Sequence, residues 1–194
     1  MKYIFQTEHP DIPYITRTDT PEDGFGHRST FATSGCGLAS GIMVVDRLLV
    51  EQDFSLEDAV KLAVESGANH GPGTDMLIYS KALADKFGLK MVMSNDVNDA
   101  IECLRTGGCV IANVRNTEQH KAIFTAGAHY IVLFAYDAEG RFAVLDPSGE
   151  KPGKFDEAIA NHLVEKVGKI EYVKPEVLDL EAYDPHRYYL FWRG

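Results

Sequence analysis

The chain has 194 residues, of which 45% are hydrophobic, and its 19 lysines and arginines against 29 aspartates and glutamates give a formal net charge of −10. This length favours one domain, because domains usually contain about 100–200 residues, and the hydrophobic content is typical of a chain that buries a core. A negative net charge offers no basic field to phosphate groups, and no apolar run approaches the roughly 20 residues that span a bilayer, so we expect neither a nucleic-acid nor a membrane partner.

The N-terminal residues have the composition of an extended arm. Residues 1–24 contain three prolines and short extended pieces such as Tyr3–Phe5, which predicts an arm that wraps the rest of a single domain over residues 1–194. The first 13 residues lack the apolar segment of a secretory signal. Three cysteines, an odd number, do not build a disulfide framework. These features together predict free thiols in a cytoplasmic protein.

Four helices are predicted next along the chain, from apolar residues at helical spacing and from residues that cap helix ends. The first follows Gly35 and is expected to be largely buried, and the second begins with a capping box. We therefore expect four helices before any sustained strand. Their predicted bounds are about Cys36 to Val50, Ser55 to Gly67, Thr74 (as N-cap) to Gly88, and Asp99–Arg105 with Asp96 or Asn98 as its cap.

The remaining sequence changes to the pattern of antiparallel strands, with β-branched and aromatic residues between turn signals. A run of helices followed by a run of antiparallel strands is the α+β arrangement, and it is not the alternation of a βαβ fold. The predicted elements are strands at Cys109–Val114, Ala128–Tyr136 and Arg141–Asp146, a hairpin turn at Asp137–Gly140, a short polar helix around Asp156–His162, and extended segments at Lys169–Val173 and Arg187–Trp192.

The segment Thr33–Gly37 places a cysteine between two glycines at the start of the first long predicted helix. A thiol at a helix N-terminus experiences the positive end of the helix dipole and unpaired backbone N–H groups, and both favour the thiolate. The glycines allow a substrate backbone to approach and leave the Cys36 N–H available as an oxyanion donor. Cys36 is therefore the candidate nucleophile, whereas Cys103 and Cys109 fall in apolar patterns and are expected in the core.

A base for this nucleophile is expected where the predicted hairpin ends. His129 begins one strand of the hairpin, and Asp146 ends the next. His129 lies about nine or ten residues before the centre of the turn and Asp146 about seven or eight after it, so antiparallel pairing makes them neighbours. A carboxylate bound to one imidazole nitrogen leaves the other nitrogen for a thiol, as a Cys-His-Asp triad requires. Cys36, His129 and Asp146 are thus the predicted catalytic residues.

Three motifs occur in one order along the chain, with a helix, glycine and strand pattern at Leu104–Ala112 before the histidine. They are Thr33–Ser40, then Gly127–Leu133 with Tyr136–Gly140, then Phe142–Pro147. In this order they resemble the peptidase C39-like group of papain-like cysteine peptidases, over roughly Phe25–Ser148. The resemblance implies a papain-like fold in which an N-terminal helical half packs on a C-terminal antiparallel sheet.

The same resemblance implies hydrolysis of a peptide or other amide bond through an acyl-enzyme on Cys36, with His129 as general base and acid and Asp146 orienting it. The chain departs from the family pattern at two positions. Many members have proline where this chain has Leu38, and many have an oxyanion glutamine where this chain has Thr30. The second oxyanion donor is then left open among Gln6, Thr33 and Ser34.

Two other functions remain open from the sequence. A peptidase-like fold that lacks the oxyanion glutamine is compatible with a non-catalytic peptide-binding domain, and an acyl-enzyme can also pass its acyl group to an amine or thiol acceptor, as in a transpeptidase or transglutaminase-like acyltransferase. No zinc-ligand spacing, phosphate loop or dinucleotide motif is found, so we expect no metal and no cofactor. The expected partner is a peptide or amide substrate; the sequence does not decide the oligomeric state or the role of residues 150–194.

Overall fold

The computed structural model describes residues 1–19, 28–183 and 185–194. Residues 20–24 of the predicted arm, and Phe25, where the sequence resemblance begins, lie outside the described residues. Within those ranges, every helix is too short or too polar to cross a lipid bilayer.

The described residues form seven α-helices, one 3-10 turn at Gln6–Glu8, and seven strands. The helices are α1 (Phe31–Ser34), α2 (Cys36–Leu48), α3 (Leu56–Ser66), α4 (Met76–Phe87), α5 (Val97–Arg105), α6 (Asp156–Ala160) and α7 (Pro175–Asp179). The strands are β1 (Leu89–Ser94), β2 (Cys109–Arg115), β3 (Ala128–Tyr136), β4 (Phe142–Leu145), β5 (Val164–Val167), β6 (Ile170–Val173) and β7 (Tyr188–Arg193).

The strands form one sheet in the order β1-β7-β2-β3-β4-β6-β5, and every neighbouring pair among these described strands is antiparallel. Successive residues of a strand face opposite sides of the sheet. In β2, Cys109 and Ile111 accordingly join a core with α2, α3 and α4, whereas Val110 and Ala112 join a second core with α5 and α7. The predicted α+β class, with an N-terminal helical layer on an antiparallel sheet, is confirmed.

The expectation that all four predicted helices precede the first strand is wrong, because the fourth of them, α5, follows β1. Strand β1 (Leu89–Ser94) lies between α4 and α5 and forms one edge of the sheet. Its sequence, Leu-Lys-Met-Val-Met-Ser, has one β-branched residue, so it carries little local strand preference. The strand forms because it pairs with β7, from Leu89 opposite Arg193 to Ser94 opposite Tyr188. Pairing partners so distant along the chain leave no local pattern.

The predicted N-cap of the third helix is also wrong. Asp75, not Thr74, caps α4, because its Oδ1 accepts a hydrogen bond of 2.9 Å from the Leu77 N–H. The Thr74 hydroxyl instead forms a buried hydrogen bond of 3.0 Å with the Tyr14 hydroxyl. For α5 the cap is Asp96, one of the two predicted alternatives.

The N-terminus of α2 packs closely against its neighbours. The Ser40 hydroxyl, one helical turn after Cys36, donates to the carbonyl oxygen of Tyr130 at 3.3 Å and so joins α2 to β3. On another side of the helix, Thr74 packs against Gly37 so closely that a Cβ on Gly37 would lie 2.8 Å from the Thr74 Cβ. The first contact places α2 beside the start of β3, and the second places it against the segment that precedes α4.

Candidate active site

Cys36 is the first residue of α2, as the sequence predicts. Gly35 separates α1 from α2 and has no room for a side chain, because a Cβ there would lie 2.4 Å from the Phe31 carbonyl oxygen. Cys36 is partly exposed, whereas Cys103 and Cys109 are fully buried. Burial raises the thiol pKa of each of these two cysteines to about 12. Only Cys36 among the three thiols combines access to solvent with a helix N-terminus.

His129 and Asp146 are in direct contact. The His129 Nε2 lies 2.7 Å from the Asp146 Oδ1, and both residues are buried. The strand register differs from the simple hairpin count: the ladder pairs Val132 with Leu145 and is irregular between Leu133 and Ala135. Continuing this ladder places Asp146 opposite residue 131 rather than opposite His129. The carboxylate reaches the imidazole because it lies just past the end of β4 (Phe142–Leu145), where the backbone turns.

The electrostatics of the three residues favour a charged thiolate–imidazolium pair. Burial lowers the pKa of His129, but the charge and hydrogen bond of Asp146 outweigh burial and raise that pKa to about 9. Burial raises the pKa of Cys36, but the hydrogen bond and positive charge of His129 outweigh it, so the thiol pKa lies below its usual value. The pKa of Asp146 is well below its usual range, because His129 and a lysine offset the cost of burial. With Nε2 bound to Asp146, Nδ1 is the ring nitrogen left for the thiol.

Two residues that the sequence interpretation missed complete the surroundings of the carboxylate. The Ser148 N–H donates to the Asp146 Oδ1 at 2.7 Å, and the Ser148 hydroxyl lies 3.2 Å from the His129 Nε2. The Lys154 ammonium group donates to the Asp146 Oδ2 and, at 2.6 Å, to the Ser148 hydroxyl. Ser148 follows Asp-Pro in a turn, so its position gave a weak signal. Lys154 lies in a loop without periodicity, and no sequence pattern indicates it.

The N-terminal segment holds the loop after β4 in place. The Tyr3 hydroxyl donates to the Asp146 carbonyl oxygen at 2.7 Å, and the Gln6 N–H donates to the Pro147 carbonyl oxygen at 2.8 Å. The Gln6 Nε2 donates to the Ala32 carbonyl oxygen in α1 at 2.9 Å. This segment therefore connects the loop that carries Asp146 to the short helix that precedes Cys36.

The three candidates for a second oxyanion donor have other contacts. Gln6 uses its Nε2 on α1, as described above. The Thr33 hydroxyl accepts from the Thr30 N–H at 2.9 Å as part of the capping box of α1. The Ser34 hydroxyl is buried and lies 3.5 Å from the Thr33 hydroxyl. The Cys36 N–H, as the first of α2, lies outside the intrahelical hydrogen-bond ladder and is the donor that the fold leaves available.

We also searched the described residues for side chains that could bind a metal ion. In the three ranges that it covers, no group of three His, Cys, Asp or Glu side chains is arranged to hold a metal ion. The cluster around His129 contains an imidazole that is hydrogen-bonded to a carboxylate and that lowers the pKa of the Cys36 thiol, so it is suited to proton transfer and nucleophilic attack.

Comparisons with known proteins bear on the fold and the family of this chain. A crystal structure of the peptidase domain of Streptococcus ComA, a bi-functional ABC transporter involved in a quorum-sensing pathway, is similar with a TM-score of 0.52 and 15% identity, over 84% of this chain and 93% of that chain. A C39-like peptidase from Bacillus anthracis is similar with a TM-score of 0.42 and 15% identity, over 90% of this chain and 98% of that chain. No curated protein matches the sequence.

The structural likeness to the ComA domain shows the fold, which is the papain-like fold of C39 peptidase domains. The family model described as Peptidase_C39 like family matches residues 9–167. That match covers most of the chain and includes every residue of the site described above except Tyr3 and Gln6. The chain therefore belongs to the Peptidase_C39 like family.

Proposed function

We propose that this protein is a cysteine hydrolase that cleaves a peptide or other amide bond through an acyl-enzyme on Cys36. The observation that carries the proposal is the position of His129, which is bound to Asp146 at 2.7 Å and lowers the pKa of the Cys36 thiol. Membership of a C39-like peptidase family supports the same reaction class. The contacts of the three side chains suit the roles of nucleophile, acid–base and orienting carboxylate.

In the proposed reaction, the Cys36 thiolate attacks the carbonyl carbon of the scissile amide, and the carbonyl electron pair moves to oxygen. The Cys36 N–H stabilises that oxyanion. His129 then gives its proton to the leaving nitrogen as the C–N bond breaks, which produces an amine and a thioester on Cys36. His129 next takes a proton from water as the water oxygen attacks the thioester. The C–S bond breaks, and the carboxylic acid product leaves with the thiolate–imidazolium pair restored.

We also propose the substrate class, the cofactor requirement, the domain organisation and the location of the protein. We infer a peptide or amide substrate, no resident cofactor, a single domain, and a location in the cytoplasm. The free state of all three cysteines supports that location, since a reducing compartment maintains thiols.

One observation favours a non-catalytic peptide-binding domain instead. The side chains of Gln6 and Thr33 are already occupied by backbone contacts, so a second oxyanion donor is not evident among them. Loss of one such donor costs roughly 10²–10³ in rate in enzymes that depend on it. This alternative requires that peptides bind to the protein and remain uncut.

The test is hydrolysis of a diverse mixture of synthetic peptides, read by mass spectrometry for new termini in ¹⁸O-labelled water. We expect the wild type and the matched control Cys103→Ala to cut the same peptides and to place ¹⁸O in the new carboxyl groups, and Cys36→Ala to cut none. Equal cutting by Cys36→Ala contradicts the proposal. Retention of uncut peptides supports the binding domain, and products joined to an added amine acceptor, without ¹⁸O, support an acyltransferase.

A further inference from the structure

Lys154 is a nearly buried cation directly behind the candidate triad. Its side chain is 12% exposed, and its ammonium group contacts the Asp146 Oδ2 and the Ser148 hydroxyl. The ammonium group also lies 5.3 Å from the centre of the Phe155 ring, which helps to hold it in place. A lysine loses much of its hydration in such a position, so its charge must be offset by the groups that it touches.

The two oxygens of the Asp146 carboxylate have different partners. Oδ1 is shared by the His129 Nε2 and by the N–H and hydroxyl of Ser148, at distances of 2.7, 2.7 and 3.1 Å. Among the residues that the structure describes, Lys154 is the partner of Oδ2. The carboxylate therefore divides its negative charge between an imidazole on one side and an ammonium group on the other.

We propose that Lys154 is a positioning residue of this site: its ammonium group binds the carboxylate oxygen that His129 does not use, and so limits how strongly Asp146 retains the proton on His129. The inference rests on the proposed function, because that proton is the one His129 must donate to the leaving nitrogen. An imidazolium held too firmly by a carboxylate is a weak acid, so a counter-charge on the carboxylate makes proton donation easier. Nothing in the order of the three sequence motifs points to this residue.

Removing the positive charge of Lys154 has a defined electrostatic consequence. A cation near a titrating group favours the deprotonated form, so its loss raises the pKa of His129 and that of Cys36 together. A purely structural role predicts something different, namely a lower unfolding temperature with both pKa values unchanged. The direction of the two pKa changes therefore separates the two roles.

Other charged groups surround this carboxylate and must be controlled. Burial, and then the charge of Asp146, raise the pKa of Glu171 to about 7, so this residue titrates within the range of the experiment. The same titrations are therefore recorded in a Glu171→Gln background. Among the described residues, Tyr3, His129 and Glu171 interact electrostatically with Asp146, and Glu171 and Glu181 interact with Lys154. Lys166 lies one step further out, where it pairs with Glu150 and Glu171.

The experiment measures the His129 pKa by NMR of ¹³C-labelled histidine rings, and the pH dependence of Cys36 alkylation by iodoacetamide. Lys154→Gln keeps a hydrogen-bond donor without the charge, and Lys154→Met provides a second neutral variant of similar length. We expect both to raise the His129 pKa by about half to one pH unit, and to slow Cys36 alkylation on the acidic limb by about 3- to 10-fold. Lys154→Arg, which keeps the charge, and Lys121→Met, which removes an exposed one, should match the wild type.

Each result supports or overturns the inference. A His129 pKa that is unchanged or lower in a folded Lys154→Gln or Lys154→Met protein overturns it, as does an equal upward change in Lys154→Arg. The proposed function fails separately, if the wild type cuts no peptide although the His129 pKa changes as expected. If the wild type cuts peptides and the neutral variants leave the His129 pKa unchanged, the proposed role of Lys154 fails and the proposed function stands.

Discussion

Replacing Asp146 by asparagine removes the charge that keeps His129 protonated and changes little else in shape. Asp146 is fully buried, and its carboxylate, 2.7 Å from the His129 Nε2, is the main cause that raises the pKa of His129 from 6.5 to about 9 against the opposing effect of burial. We therefore expect the His129 pKa to fall by about two pH units or more in Asp146→Asn. One pH unit corresponds to 1.36 kcal/mol, so the loss is on the order of 3 kcal/mol of preference for the imidazolium form.

The loss of the imidazolium charge should also change the pKa of the Cys36 thiol. Without an imidazolium beside it, the Cys36 thiol keeps the full effect of burial, so its pKa should rise and the thiolate fraction at pH 6 to 7 should fall. NMR of labelled histidine rings measures the first change, and thiolate absorbance near 240 nm, as a difference from Cys36→Ser, measures the second. Asp85→Asn, on an exposed position of α4, is the matched control. A folded Asp146→Asn protein whose His129 still titrates near pH 9 would show that Asp146 does not raise this pKa.

Three further predictions concern the surroundings of the site. In urea unfolding, Glu171→Gln should stabilise the protein by up to about 3 kcal/mol above pH 7 and leave its stability unchanged near pH 4.5. The reason is that the stability contributed by protonated Glu171 is lost as the pH rises through its pKa of about 7. An equal effect at both pH values would contradict this prediction. Gly37→Ala places a Cβ 2.8 Å from the Thr74 Cβ and should cost about 1–3 kcal/mol of unfolding free energy, whereas Gly127→Ala, with no atom within 4 Å, should be neutral. Glu181→Gln replaces by a neutral amide the buried carboxylate that accepts hydrogen bonds from the N–H groups of residues 123 and 124 at 2.7 and 3.1 Å, and so weakens those hydrogen bonds. Limited proteolysis should therefore cut the loop before β3 faster in this variant, and unchanged cleavage would contradict the prediction.

Much of the fold follows from local signals in the sequence. Helices α3 and α4 end where glycines at 67 and 88 adopt positive φ values of 78° and 63°, which a glycine adopts without strain. Strand β3 has the predicted bounds Ala128–Tyr136, because its β-branched and aromatic run is flanked by turn residues. Strand β1 was not predictable in this way, since it depends on pairing with β7 and has little strand preference of its own.

In the candidate site too, some features follow from local sequence and others depend on how distant segments pack. The sequence indicates Cys36 as the candidate nucleophile because its flanking glycines and the helix that follows are adjacent along the chain. The contact of His129 with Asp146 was expected from the hairpin, although the actual register and the turn after β4 decide how the carboxylate reaches the imidazole. Lys154 was missed because its contact with Asp146 depends on the path of a loop, which no periodic pattern records. The family resemblance also could not indicate that Gln6 contacts α1 through its side chain.

We propose that His129 activates Cys36 as a nucleophile. The most direct test is the pH dependence of iodoacetamide alkylation at each cysteine, read by peptide mass spectrometry in wild type, His129→Ala and the control His120→Ala. We expect rapid alkylation of Cys36 below neutral pH, at least about 100-fold faster than that of the buried Cys103 and Cys109, with the advantage lost in His129→Ala and kept in His120→Ala. Equal rates at the three thiols, or a Cys36 rate that does not depend on His129, would contradict it.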